Sequence, residues 1–279
     1  MSTQPGVSTA LAWAQVAPGA VVVATAERAW LHHPHNPTDP FWFPMTGVGD
    51  EASTARLLEG AIGVGLRAGR STTPPPPLTR TRYIWRLVAY YHLTHHTPGL
   101  MRVAAERFAA AGRPELAAWA AEKADDETAH DALALKDLEE LGFSPGIVAL
   151  EPPQALALVR WFQGSVAPAL PLGVVAYAHT VERLALTQDA QALADVRAVL
   201  PPGSRAVRCL RVHSATGSDV RHVADNVRVI AALAPPERAA IALACREVAQ
   251  LFSTAPGEGY TDDRGLETSF GPWRLTLGG

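Results

Sequence analysis

The sequence lacks the features of disulfide-rich, membrane-spanning and nucleic-acid-binding proteins. Its two cysteines, Cys209 and Cys245, are too few for a disulfide framework or a cysteine zinc site. No apolar run reaches the roughly 18 residues of a membrane span. Acidic residues outnumber basic ones by 27 to 24, whereas nucleic-acid binders usually carry a basic excess. No Lys or Arg precedes Arg28, so the charged start of a signal peptide is missing and we expect a cytoplasmic protein.

Charged residues are also scarce, at 18% of the 279 positions, and the net charge is −3. Globular proteins average about 25% charged residues, so we expect much of this chain to be buried. Hydrophobic residues make up 48%, which excludes intrinsic disorder. We therefore expect a globular protein that binds neither nucleic acid nor membrane. The sequence leaves open whether two copies form a homodimer.

The apolar residues have helical spacing nearly throughout, and no convincing strand pattern is present. The predicted fold class is therefore all-α. Residues 1–77 form a predicted N-terminal extension with a helix over Glu51–Arg67, and it ends in the stiff proline run 74–77. Residues 78–253 form the predicted helical domain. Residues 254–279 form a predicted tail that covers the bundle.

Prolines and glycines mark the predicted helix boundaries within the domain. A first helix is predicted over Leu78–His96, and Thr97 and Pro98 favour the start of a second one. A third helix is predicted from Pro114 to Leu141. The remaining predicted helices are Pro153–Val166, Pro171–Thr187, Ser204–Leu233 with an interruption near Gly217, and Pro235–Ser253.

Acids and histidines stand on helix faces that should be apolar in a bundle. Glu127 interrupts the apolar stripe of the third helix, and His130 follows it one turn later. A carboxylate and an imidazole in this arrangement are typical of helix bundles that bind a pair of irons or manganeses. About one acid-x-x-His pair is expected by chance in this composition, so the placement is a stronger argument than the count.

Two later segments show the same feature. Glu182 interrupts an apolar stripe, and a buried carboxylate needs a cation or a hydrogen-bond partner. His179, three residues earlier, is a candidate partner. Asp219 and His222 form the second acid-x-x-His pair, in the late helix. Mixed carboxylate and imidazole donors without thiolate suit non-haem iron.

The chain resembles the haem-oxygenase-like diiron oxidases over about residues 78–252. In that family one helix carries a Glu and a His, a second carries one Glu, and a late helix carries His, Asp and His. Asp125–Gly142 is similar to the family's acidic segment ending in Asp-Leu-x-x-Leu-Gly, Gly173–Glu182 to its central Glu helix, and Leu210–His222 to its late ligand helix. By position, the resemblance implies the metal ligands Glu127, His130, Glu182, His213, Asp219 and His222.

The resemblance implies a haem-oxygenase-like bundle that holds two non-haem iron ions, the second one loosely. One iron would lie on Glu127, His130 and His213. The implied activity is an O2-dependent oxidase or oxygenase reaction on a small amino-acid-like or fatty-acid-like substrate in specialised biosynthesis. The second iron would lie on Glu182, Asp219 and His222. The reaction with O2 needs open coordination positions on the metal.

His213 departs from the family pattern, because it precedes Asp219 by six residues and the family usually has four. Six residues of a straight helix turn the chain by about 600°, which points His213 about 120° away from Asp219. We therefore predict irregular backbone at Thr216, Gly217 and Ser218. If that helix is straight, His213 is not a ligand.

Tyr91, His95 and Tyr177 are predicted to line the substrate pocket. The neighbouring His92 and His96 are one turn apart, and we interpret them as a polar helix end rather than as metal ligands. The remaining candidates have structural interpretations. We expect buried packing for the two cysteines, solvent-facing positions for the histidines, and packing onto the bundle for the aromatic residues: Cys209, Cys245, His32, His33, His35, Trp30, Phe41, Trp42 and Phe43.

Two alternatives stay open. In the first, the same bundle is metal-free, and Glu127, Glu182 and Asp219 act as general acid and base. In the second, the chain is a non-catalytic partner subunit that makes contacts through the aromatic residues of its extension. An irregular late helix with His213 turned inward favours iron. Neutralisation of the acids by Lys123 or Arg183 favours the alternatives.

Overall fold

The structure, a computed structural model, describes residues 10–47, 49–71, 74–214, 219–257 and 259–275. Most of these residues are helical, which confirms the predicted all-α class. Within them, every helix is either too short or too polar to cross a lipid bilayer.

The helices follow one another with short connections. Those at Glu51, Pro153, Leu172 and Pro235 agree with the prediction to within two residues, because an Asp cap or a proline marks their starts. The bounds are α1 (Glu51–Gly69), α2 (Arg80–Ala110), α3 (Pro114–Asp126), α4 (Asp131–Glu140), α5 (Pro153–Ser165), α6 (Leu172–Ala185), α7 (Ala190–Val199), α8 (Arg208–Val212), α9 (Asp219–Ala231), α10 (Pro235–Ser253) and α11 (Asp263–Phe270). The sequence analysis did not predict α7.

Three short strands precede the helices, and the sequence analysis did not predict them. The strands β1 (Ala12–Ala17), β2 (Ala20–Ala24) and β3 (Ala29–His32) form an antiparallel sheet in the order β1-β2-β3. Every residue of β2 is buried, so this strand shows an apolar run in place of an alternating pattern. A run of five apolar residues does not distinguish a buried strand from a helix.

Helix α1 belongs to the same core as the later helices, although the prediction assigns it to the N-terminal extension. It packs along α10 and against β2. Gly65 allows the close approach, because a Cβ there would lie 2.1 Å from the carbonyl oxygen of Arg246 on α10. Leu57 and Ala61 of α1 join Val248 of α10 in one buried apolar cluster.

Helix α2 is continuous through Pro98, so the predicted new helix at Thr97 is wrong. Proline lacks the amide that would donate to the carbonyl four residues earlier. The first half of α2 packs against α4 through Ile84 and Leu87, and the second half packs in the main cluster through Phe108. These contacts on both sides of Pro98 keep one helix where the local sequence favours two.

Two apolar clusters form the core of the described residues. The main cluster holds side chains of α1, α3, α5, α6, α9 and α10, and the second cluster holds those of α4, α8 and α11. The second half of α2 belongs to the main cluster and the first half to the second. Phe270 of the C-terminal tail is fully buried in the second cluster. The chain crosses between the clusters in the α3–α4 turn and between α8 and α9, and the candidate site lies at these crossings.

Candidate metal centre

A cavity of about 110 Å³ lies between α2, α6 and the turn after α3. Apolar side chains such as Leu93, Val181 and Phe252 line one part of it. The polar residues of its lining are Tyr90, Thr94, Thr97, Lys123, Glu127, Tyr177, Glu182, Gln188 and His213.

Glu127 and His130 stand in a turn, and the predicted continuous helix from Pro114 to Leu141 is wrong. Helix α3 ends at Asp126, and α4 begins at Asp131. Ala129 between them has a φ of 67°, the left-handed conformation that non-glycine residues rarely adopt. The turn brings His130 Nδ1 to 2.9 Å from Glu127 Oε2.

Glu127 is 8% exposed, and several groups act on its carboxyl. Burial by itself disfavours the charged form. The hydrogen bond with His130 and the charges of His213, His130 and Lys123 nevertheless hold the pKa of Glu127 below its ordinary value. Glu127 is therefore an ionised acceptor inside the protein at neutral pH.

Glu182 on α6 uses both of its carboxylate oxygens. Lys123 Nζ lies 2.8 Å from Oε1, and Asn226 Nδ2 donates to Oε2 at 2.6 Å. Trp119 Nε1 in turn donates to Asn226 Oδ1 at 3.0 Å. The predicted pairing of Glu182 with His179 is wrong, because within the described residues neither ring nitrogen of His179 has a hydrogen-bond partner. The compensating cation comes from α3, which no local pattern on α6 reveals.

His222 on α9 lies between two carboxylates. Its Nδ1 is 3.6 Å from Glu182 Oε1, and its Nε2 is 3.2 Å from Asp126 Oδ2. Carboxylates that hold the outer nitrogen of a histidine commonly orient the other nitrogen towards a metal. Asp126 is not among the predicted site residues, although it directly precedes Glu127 in the sequence.

His213 lies directly after the end of α8, and one of its ring nitrogens lies within 4.8 Å of donor atoms of Glu127 and His130. Helix α8 ends at Val212, and α9 begins only at Asp219. The buried Asp137 carboxylate holds α8 in place by accepting from Arg208 Nη1 at 2.8 Å and from the Cys209 amide at 3.0 Å.

The ring of His213 lies 5.0 Å from that of His130, centroid to centroid, and it lines the cavity. The predicted irregular residues Thr216, Gly217 and Ser218 lie outside the described part of the chain, as does the side chain of Asp219.

The described residues thus bring together two groups of donor atoms, each within 4.8 Å of one another. The first group is Glu127, His130 and His213. The second is Glu127, Glu182 and His222. Five of the six ligands that the resemblance implies therefore converge, and Glu127 belongs to both groups.

Of the three predicted pocket residues, the structure places Tyr177 in the cavity wall, and Tyr91 and His95 outside it. The rings of Tyr91 and His95 stack with centroids 5.0 Å apart, and His95 Nδ1 lies 2.7 Å from Asp131 Oδ2. Two residues of α2 that line the cavity, Tyr90 and Thr94, each precede one of the predicted residues by one position. One residue along a helix is a rotation of about 100°, which separates the two faces.

Three other histidines make structural contacts. His92 Nε2 is 2.8 Å from the Leu150 carbonyl oxygen, His32 Nε2 is 2.6 Å from Asp39 Oδ2, and His33 Nδ1 is 3.0 Å from the Gly19 carbonyl oxygen. Each of these ring nitrogens therefore has a partner within the protein.

Both cysteines are fully buried, and burial raises the pKa of each thiol, that of Cys245 to about 12. Such thiols are poor nucleophiles. Of the aromatic residues in the extension, Phe41 packs edge-on against Trp13, whereas Trp42 and Phe43 are 49% and 57% exposed.

No protein-family model and no curated protein matches the sequence. Among solved structures, the chain is similar to the crystal structure of a domain of unknown function with a heme oxygenase-like fold from Shewanella denitrificans OS217. The two share 16% sequence identity with a TM-score of 0.53, and the match covers 78% of this chain and 88% of the other. The chain has a haem-oxygenase-like fold.

Proposed function

We propose that the protein is an O2-dependent non-haem diiron oxidase or oxygenase that acts on a small organic molecule. The observation that carries the proposal is the shared carboxylate: Glu127 belongs to two adjacent donor groups, each completed by imidazole or by imidazole and carboxylate. Such mixed donors without thiolate fit iron. A buried cluster of this kind is costly unless a cation compensates it.

The two donor groups would each hold one metal ion. Glu127, His130 and His213 would hold one ion, and Glu127, Glu182 and His222 would hold the other. Two Fe(II) ions, when bound, supply electrons for the reduction of O2. Because the pKa of Glu127 is lowered, its carboxylate is ready to bind cations at neutral pH without losing a proton first.

The cavity is the proposed substrate site. Its apolar side chains, including Leu93 and Phe252, would bind a hydrocarbon part of the substrate and exclude water from the reaction. Tyr177 stands in the wall with Glu127 and Glu182, and burial keeps its phenol protonated by raising its pKa. It would donate a hydrogen bond to a polar group of the substrate. An amino-acid-like or fatty-acid-like molecule from a biosynthetic pathway fits this description.

One observation favours a second candidate, a metal-free enzyme of the same fold. Lys123 neutralises Glu182 at 2.8 Å, and neutralisation of the acids by this lysine favours the two alternatives to iron, the metal-free enzyme and the non-catalytic subunit. In that case Glu127 would be the general base, because Glu182 is engaged on both oxygens.

Anaerobic titration with Fe(II), followed by exposure to O2, tests the proposal. We expect two irons per chain and a change in visible absorption when O2 is added. Glu127→Gln should abolish binding of both ions, since one carboxylate serves both groups. The matched control is the Glu122→Gln variant, which changes an exposed residue of α3 and should bind iron like the parent protein. If the freshly purified parent protein takes up no iron, the metal-free candidate replaces the oxidase.

A further inference from the structure

Lys123 occupies the place where a cation would bind in the second donor group. It stands one turn before Glu127 on α3, is 4% exposed, and lies 2.8 Å from Glu182 Oε1. The same Oε1 atom is 3.6 Å from His222 Nδ1. The other oxygen, Oε2, is held by Asn226. The ammonium group of Lys123 therefore contacts Oε1 of Glu182, the same oxygen that faces the imidazole of His222.

We propose that Lys123 competes with a metal ion for Glu182 and so sets the order in which the two groups fill. This inference rests on the proposed function. The group of Glu127, His130 and His213 binds the first ion. The second ion binds only when the ammonium group leaves Glu182, because two cations repel each other at this distance.

The cavity offers space for the displaced ammonium group. Lys123 is itself part of the cavity wall, so rotation of its side chain carries the charge into the cavity and not into packed core. Removal of the charge should therefore favour the second ion. The uncompensated Glu182 of such a variant would destabilise the metal-free protein.

The first test is calorimetric titration with Fe(II) without oxygen. We expect two binding steps in the parent protein, the second at least tenfold weaker. In Lys123→Met the second step should tighten at least tenfold, and added Fe(II) should raise the melting temperature more than in the parent protein. Lys136→Met is the matched control, because Lys136 is exposed on α4 and is the only other lysine in the sequence.

The second test uses the unmutated chain and does not depend on the stability of a variant. Because the sequence has two lysines, protein labelled with 13C-lysine gives two Cε signals. Titration with Zn²⁺, which is diamagnetic, should move the Lys123 signal only with the second equivalent and leave the Lys136 signal in place.

Three results would overturn the inference, and they are distinguishable. Equal affinities for both ions, unchanged in Lys123→Met, would refute the competition and leave the diiron proposal standing. A Lys123 signal that stays in place after two equivalents of Zn²⁺ have bound would do the same. A parent protein and variant that bind no metal at all would overturn both proposals.

Discussion

Glu182 and His179 lie three residues apart on α6. Both are buried, but the structure gives hydrogen-bond partners to Glu182 and, among the described residues, none to the ring of His179. Glu182 is 8% exposed and has a partner on each oxygen, Lys123 and Asn226. His179 is 1% exposed, and both its ring nitrogens lack hydrogen-bond partners among the described residues. Burial, with a smaller effect of Arg183, lowers the pKa of His179 to about 4. This imidazole is neutral in the folded protein at any pH near neutrality.

The lowered pKa predicts a loss of stability in mild acid. The folded pKa of His179 lies below the value of about 6.5 in an unfolded chain, so the unfolded state binds more protons as the pH falls from 6.5 towards 4. Between pH 7 and pH 5 the free energy of unfolding should fall by about 2 kcal/mol from this group alone. Urea unfolding at both pH values measures the change.

The control for this prediction is His179→Leu, which removes the titrating group. The loss between pH 7 and pH 5 should shrink by the same amount in this variant. An equal loss in both proteins would contradict the argument.

At the scale of elements, the two breaks in the helices decide the geometry of the site. The turn between α3 and α4 and the interruption between α8 and α9 occur where the chain passes from one apolar cluster to the other. Helix α2 passes between the same two clusters without a break, whereas α3 ends at Asp126 and α8 ends at Val212 where the chain crosses. Each break also carries candidate donors: Glu127 and His130 in the turn, and His213 directly after α8.

The turn predicts an unusual effect of glycine. Ala129→Gly should raise the free energy of unfolding by up to about 1 kcal/mol, because glycine adopts a positive φ without the steric cost that alanine carries. Ala121→Gly, at an exposed position inside α3, should lower it by about 0.5–1 kcal/mol. Denaturant unfolding of the two variants compares the same substitution in two backbone conformations. A loss of stability in both would argue against the left-handed turn.

At the scale of the whole molecule, the chain between residues 12 and 69 is built into the bundle. Helix α1 packs on α10, which packs on α6, the helix that carries Glu182. The contact between α1 and α10 therefore fixes the position of the helix against which α6 packs.

This contact gives a prediction with an internal control. Gly65→Ala should lower the free energy of unfolding by about 1–3 kcal/mol, because its Cβ would collide with the Arg246 carbonyl at 2.1 Å and force α1 away from α10. Gly63→Ala, whose nearest neighbour is a flexible Arg67 side-chain atom at 3.5 Å, should be neutral or stabilising by up to about 1 kcal/mol. Thermal unfolding checks both, and equal effects would refute close packing at Gly65.

The sequence by itself determined the helical class, most of the helix starts and the candidate ligands. Apolar periodicity, proline and Asp caps act within one or two turns, and an acid such as Glu127 or Glu182 stands out against an apolar stripe. The predicted irregularity at Thr216, Gly217 and Ser218 came from comparing the spacing of His213 and Asp219 with the family pattern, and it lies outside the described residues.

Only the tertiary structure decided which groups meet. The pairing of Lys123 with Glu182 joins positions 59 residues apart, and the helix through Pro98 and the left-handed Ala129 follow from packing against two separate clusters. The physical reason is that a local pattern records whether a side chain is buried, whereas its partner is fixed by how distant helices pack. Strand β2 was missed for a related reason, since burial on both of its faces removes the alternation that identifies a strand.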